Sequence, residues 1–235
     1  MEFGILKTQI ELNPHFVDQV YDRLLEAISL GELRPGQRVR QGALAERLGV
    51  SRQPISHALQ MLKQQGLVRD APTQGLEVAP LDPDYVLHLY EARTSLESTA
   101  AALAAARVAA GVAAPADRQL LEAKLEAGLA AISGHRPLIE LVKADADFHG
   151  ALYRLSGNPV IEQMMAAQWP HLMRSMLGVL NDPGVPERAW EEHGAIAGAV
   201  LAGEAERART IAAAHMARAG SDLHRRLKSS LLLNR

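Results

Sequence analysis

The sequence predicts a mostly α-helical chain in two parts: a small helical region closed by a β-hairpin, then an all-α bundle of about six helices. Three observations predict it. Apolar residues recur at helical spacing along most of the chain, strand-like alternation is confined to residues 67–79, and a two-proline segment, PLDPDY (80–85), separates the parts. The expected domains are residues 1–80 and 81–235, each of ordinary domain size.

From Phe16 to Leu30, Val17, Val20, Tyr21, Leu24, Leu25 and Ile28 follow the spacing of an amphipathic helix, and Gly31 stops it. LRPGQRV (33–39) reads as a Pro-Gly turn into a short extended piece. GALAERLG (42–49) is a two-turn helix closed by Gly49. Ser51 is placed to cap the next helix, and Pro54 is tolerated in its first turn. Ile55, Ala58, Leu59 and Leu62 form its buried stripe, and Gly66 ends it. LVRDAPTQGLEVA (67–79) then gives two strand-like runs about a polar tip.

Helix, helix, tight turn, helix, hairpin is the order of a winged helix-turn-helix. The second helix of such a turn enters the DNA major groove, about 12 Å wide. Gln53, Ser56, His57, Gln60 and Gln64 fall opposite the buried stripe, a mixture suited to base edges and phosphates. Ser51 and Arg52 sit at the helix N-terminus, where backbone N–H groups favour phosphate. The net charge of −2 gives no hint of nucleic acid, but its distribution does. Residues 34–69 hold seven basic groups (Arg34, Arg38, Arg40, Arg47, Arg52, Lys63, Arg69) against the single acid Glu46.

The stretch LRPGQRVRQGALAERLGVSRQPISHALQMLKQQGLV resembles the DNA-binding domain of the GntR family of bacterial transcription regulators, over about residues 15–79. The resemblance implies double-stranded operator DNA as the partner. Arg52 is the foremost base or phosphate contact, followed by Arg40 and by Gln74 and Gly75 in the wing. Where many members read TPVREAL this chain reads QPISHAL, so Ser56 replaces a second arginine and His57 an acid; Gly42 stands where some members carry another arginine. Fewer charged contacts imply a shallower salt dependence and a different operator.

Past Pro83 the expected helices are 83–107, 115–132, 137–155, 158–180, 186–202 and 204–228. Gly/Pro signals separate them, among them SGNP and NDPGVP. The informative residues are polar ones interrupting apolar stripes. In the first helix the stripe is Val86, Leu89, Arg93, Leu96, Ala100, Leu103, with Arg93 at its centre. In the third it is Leu141, Asp145, Phe148, His149, Leu152, Leu155, which puts Asp145 inward and Asp147 outward. In the fifth, His193 joins Ala189, Ile196, Ala197 and Val200. In the last, His215 lies with Ile211 and Leu223.

A buried carboxylate needs a cation or strong donors. Asp145 and His149, at i and i+4, share a helix face, roughly 6 Å apart at Cβ. Imidazoles from two neighbouring helices would complete a three-His, one-carboxylate site for zinc, nickel or another first-row divalent ion such as manganese. Two other readings stay open: the inward groups hydrogen-bond one another without metal, or the set supports a metal-dependent hydrolase.

The second half resembles the FCD ligand-binding domain of the FadR-like branch of GntR regulators, over about residues 83–228. YEARTSLE (90–97), DADFHGALYRLSGNP (145–159), EEHGAIAGAVLAGEAERA (191–208) and AAAHM (212–216) carry the resemblance. It implies the metal ligands Asp145, His149, His193 and His215. It also implies a small organic acid as effector, with Arg93 pairing its carboxylate and Asn158 and His171 lining the same pocket, although Asn158 equally suits a helix cap. The helix count points to a six-helix subgroup, and the resemblance to a homodimeric, ligand-responsive repressor that is not an enzyme. Without cysteine, disulfides, Cys-based zinc fingers and thiol nucleophiles are excluded. No apolar run approaches the roughly 18 residues of a membrane helix and the N-terminus shows no signal-peptide pattern, so a cytoplasmic location away from the membrane is expected.

Overall fold

The computed structural model describes residues 14–179 and 185–233. The chain forms two compact units whose main division falls between Ala79 and Pro80, with Ser29–Glu32 grouped with the second.

The first unit contains α1 (Pro14–Ser29), β1 (Arg38–Val39), α2 (Gln41–Leu48), α3 (Arg52–Gln64), β2 (Val68–Asp70) and β3 (Leu76–Val78). Its core is built from the predicted stripes: Val20, Leu24 and Ile28 of α1 pack with Ile55, Ala58, Leu59 and Leu62 of α3 and with Val68 and Val78 of the strands. The short extended piece at 38–39 is itself a strand. It pairs antiparallel with β3 in the register Arg38↔Glu77, making a three-stranded sheet of order β1-β3-β2. Gly49 closes α2 at φ +65°, a left-handed conformation that favours glycine, and so sets the tight turn into α3.

In the second unit the described residues form seven helices: α4 (Pro83–Ala109), α5 (Pro115–Ser133), α6 (Leu138–Ser156), α7 (Pro159–Ala166), α8 (Trp169–Val179), α9 (Val185–Leu201) and α10 (Ala205–Leu233). Six were expected. The predicted helix 158–180 breaks at Ala167–Gln168, because Pro170 has no N–H to bond the carbonyl of Ala166. The Gln168 N–H turns back to the Met165 carbonyl (2.9 Å) instead, and His171 starts the next ladder on the Gln168 carbonyl (3.0 Å). The count therefore gives no support to the six-helix subgroup. The expected helix end at residue 180, most of the NDPGVP turn and the N-terminal residues read for a signal peptide lie outside the described residues.

Small residues let the helices approach closely. Ala101, Ala104 and Ala105 of α4 are fully buried against Phe148, Leu152, Ile196 and Val200. A Cβ on Gly220 of α10 would stand 2.6 Å from the Tyr90 Cβ of α4, and one on Gly128 of α5 would stand 1.8 Å from the Trp190 ring. Leu103, placed by periodicity on the inner stripe of α4, is 38% exposed. A strict 3-4 alternation drifts from a 3.6-residue turn along a 27-residue helix, and the buried line passes instead through Tyr90, Arg93 and Glu97.

Candidate metal centre and nucleic-acid interface

On α3, Arg52, Gln53, His57, Gln60 and Gln64 are exposed opposite the buried stripe, whereas Ser56 is half-buried. Ser51 occupies the N-cap position in extended backbone, but its hydroxyl makes no capping hydrogen bond. The Arg52 guanidinium lies across Gly42 of α2, 3.6 Å from where a Cβ would be. Arg40 is exposed at the N-cap of α2. Gln74 and Gly75 form the exposed wing tip, where Gly75 takes φ +88°. Arg38 braces this tip from β1, donating to the Gln74 carbonyl and to Thr73 Oγ1.

The basic patch is smaller than the sequence suggests. Lys63 pairs with Asp70 (2.7 Å) and Arg69 with Glu77 (2.8 Å), both acids lying just beyond the 34–69 window. Among the described residues Arg34, Arg40, Arg47 and Arg52 are exposed with no ion-pair partner.

In the second unit His149 of α6, His193 of α9 and His215 of α10 are buried, and one nitrogen from each lies within 4.8 Å of the others. His193 Nε2 and His215 Nε2 are 3.1 Å apart. Asp145 Oδ1 is 3.5 Å from His193 Nε2 and 3.9 Å from His149 Nε2. The stripes thus bring together all four predicted ligands. Burial pushes the imidazole of His193 well below its usual 6.5, reinforced by the neighbouring His149, His215 and Arg93. Burial also lowers His215, against the opposing pull of Glu192. Both rings are therefore neutral near pH 7 and can offer lone pairs.

Two acids the sequence reading passed over hold these rings. Glu192 Oε2 lies 2.5 Å from His215 Nδ1, so that nitrogen carries the proton and Nε2 presents its lone pair to the cluster. Glu192 is fixed in turn by Arg218 (2.8 Å). Burial opposes its charge, but bonds from His215 and Arg218 outweigh this and lower it to about 2. Glu97, 1% exposed, has Oε1 3.0 Å from His149 Nδ1 and accepts from Arg93 Nε at 3.0 Å and from the Tyr153 hydroxyl. The first of these is a contact without hydrogen-bond alignment. Burial raises the Glu97 carboxyl, yet the neighbouring His149, Arg93 and Tyr153 outweigh it and bring it to about 2. Glu192 is flagged only by the EEH sequence, and Glu97 only by standing four residues after Arg93.

Arg93 is 1% exposed, its guanidinium 4.7 Å above the Trp169 ring, and its Nη2 has no hydrogen-bond partner among the described residues. It lines a cavity of about 70 Å³ together with Asp145, His149, His215, Arg188 and Arg218. His149 Nε2 and His193 Nδ1 are likewise buried without hydrogen-bond partners. Three imidazoles, one carboxylate and unpartnered nitrogens suit a first-row divalent metal by donor type, and the fit is to these residues as they stand.

The other two predicted pocket residues lie elsewhere. Asn158 is the N-cap of α7, its Oδ1 accepting from the Val160 N–H at 3.1 Å. Its competing role as a cap is the one the structure supplies. His171 on α8 packs its ring 5.3 Å from that of Tyr85, and neither residue lines the cavity.

A winged helix-turn-helix joined to an all-helical unit defines a two-part transcription regulator of the bacterial kind. Comparison with known proteins gives the family. Residues 16–78 match the bacterial regulatory proteins of the gntR family and residues 88–218 match the FCD domain, and the chain belongs to the gntR family with an FCD domain. An HTH-type transcriptional regulator of Streptomyces ambofaciens is 30% identical over 207 residues, covering 88% of this chain and 84% of the other. A regulatory protein of Escherichia coli K12 named for an L-lactate dehydrogenase operon is 30% identical over 223 residues, 85% of this chain and 83% of its own. A Bacillus subtilis HTH-type regulator is 29% identical over 155 residues, spanning 65% of each chain. The solved structure of E. coli McbR/YncC superposes with a TM-score of 0.74 at 25% identity, covering 89% of this chain and 97% of that one. These matches are to transcription regulators, not to enzymes. Among the described residues no helix is long and apolar enough to cross a membrane.

Proposed function

We propose that this regulator binds operator DNA as a homodimer and responds to a small organic acid through a divalent transition metal held by Asp145, His149, His193 and His215. The observation that carries the reading is the convergence of one nitrogen from each of three buried histidines within 4.8 Å, beside the Asp145 carboxylate. Hydrogen bonding among these groups alone leaves His149 Nε2 unpartnered, which favours metal over the metal-free reading. Zinc, nickel or manganese bound there would supply an open position for an oxygen ligand. Arg93 Nη2 supplies a charge-assisted donor for the acid's carboxylate. A water position needs about 10–15 Å³, so about 70 Å³ takes a molecule of about five non-hydrogen atoms. That is the size of a short carboxylic or hydroxy acid, and the E. coli relative is named for an operon of lactate chemistry.

On DNA, Arg52, Arg40 and Ser51 would meet backbone and bases at the start of the reading helix, with Gln53, Ser56 and His57 along it and Gln74 and Gly75 in the wing. Two copies would address half-sites about 34 Å apart, acting as a repressor in the manner the resemblance implies. Thermal-shift screening of short organic acids, with and without added zinc, nickel or manganese, tests the sensing half. Stabilisation should appear only with metal present and grow as RT ln(1 + [L]/Kd). A melting curve indifferent to metal in every combination would remove the metal from the reading.

A further inference from the structure

We infer that Glu97 is a positioning residue that ties the metal end of the pocket to its carboxylate end, so that a change at His149 is felt at Arg93 and the reverse. The inference rests on the metal reading above and concerns a residue that touches neither ion nor effector. One oxygen, Glu97 Oε1, meets three groups: Arg93 Nε at 3.0 Å, His149 Nδ1 at 3.0 Å and the Tyr153 hydroxyl. The two ring nitrogens of His149 point to opposite sides of the imidazole. Nδ1 faces Glu97, and Nε2 faces Asp145 at 3.9 Å, on the side of the histidine cluster.

A carboxylate beside Nδ1 selects the tautomer protonated there, which leaves Nε2 as the lone-pair nitrogen a metal needs. The same carboxylate holds Arg93 by Nε, and Nη2 is the guanidinium nitrogen left without a partner in the cavity wall. The His149 contact is at bonding distance but out of line, so a small ring rotation closes it. Any such rotation of His149 would draw on the same Glu97 oxygen that Arg93 Nε shares. All three side chains are buried to 1% exposure, and Glu97 itself does not line the cavity. Tyr153, also 1% exposed, supplies the third anchor and keeps Glu97 from following one partner away from the other.

The test uses the full-length protein and zinc alone as probe. In the metal-free wild type, ¹⁵N-imidazole NMR should find His149 as the Nδ1–H tautomer; an Nε2–H tautomer overturns the inference. In chelator competition, Glu97→Gln should bind zinc about 10–100-fold more weakly, the range for loss of an outer partner of a ligand histidine. Because Glu97→Gln leaves Arg93 buried without its counter-charge, the double variant Arg93→Met/Glu97→Leu, which removes both charges, is measured beside it. Merely restoring charge balance would return zinc affinity to within about twofold of wild type, and that result overturns the inference. Persistent weakening in the folded double variant supports it. A wild type that binds no zinc refutes the metal reading instead, and the tautomer measurement still decides what Glu97 does to His149.

Discussion

His193 Nε2 and His215 Nε2 lie 3.1 Å apart at the centre of the helical unit, and only one of them can carry a proton. Glu192 places the His215 proton on Nδ1, so in the absence of metal the shared proton belongs to His193. His193 Nδ1 is then a bare acceptor, which agrees with its having no partner. For His193 Nε2 to serve as a ligand, its proton would have to stand on Nδ1 instead. His149→Ala and His193→Ala each remove a nitrogen from the set, and each should reduce zinc binding at least about 10-fold. Elemental analysis of untagged protein after dialysis is the check; full retention in both variants would contradict the ligand assignment.

Arg52→Ala should weaken specific operator binding about 5- to 100-fold, on the scale of about 1–3 kcal/mol for one lost base contact. A gel-shift titration at fixed salt reads it. Arg69→Ala is the control: its guanidinium is engaged with Glu77, and a smaller loss is expected. Equal affinities for Arg52→Ala and wild type would displace Arg52 from the reading role.

Acid should destabilise the metal-free protein in two stages. The folded-state values of His193 and His215 lie below 6.5, so below that pH the unfolded chain binds more protons and stability falls. Glu97 and Glu192 are lowered from 4.5 to about 2, and the stability they contribute above 4.5 is lost as pH falls toward 2. The sign is the same for both pairs. Thermal midpoints should decline below pH 6.5 and again below 4.5, and His193→Gln should blunt the first decline. A midpoint unchanged between about pH 7 and pH 5 would show that these histidines are not held neutral by burial.

Asn158→Ala should cost about 1 kcal/mol through the lost helix cap, while zinc affinity and the response to organic acids stay at wild-type values. Asn158→Asp, which keeps the accepting oxygen, should restore stability. Denaturant titration and chelator competition together read this, and a selective loss of effector response would return Asn158 to the pocket.

Gly128→Val should destabilise the helical unit by about 1–3 kcal/mol, because any Cβ there meets the buried Trp190 ring at 1.8 Å. An unchanged denaturation midpoint would mean that α5 can be set back from α9 at no cost.

Periodicity served the site best where a polar residue replaced an apolar one on a short, regular stripe. Asp145, His149 and His193 were legible that way, each an ionisable group inside an apolar run, whereas His215 stood on a less regular inner face. Their orienting partners were not. Glu97 stands beside the stripe, and an acid one position off line reads as solvated until helix drift carries it inward. Glu192 is half-buried and gains its meaning from His215 and Arg218, both on another helix. The split between α7 and α8 was visible in Pro170, but the apolar residues around it masked the missing N–H. In the first unit, helix order, turn and wing followed from the residues. The charge count did not, since Asp70 and Glu77 are brought to Lys63 and Arg69 only by the fold of the sheet.

Gly42 leaves bare the surface on which the Arg52 guanidinium rests. A larger side chain there would compete with that arginine for room at the mouth of the reading helix. The two positions are thus coupled through space, and the bulk chosen at one sets the room left to the other.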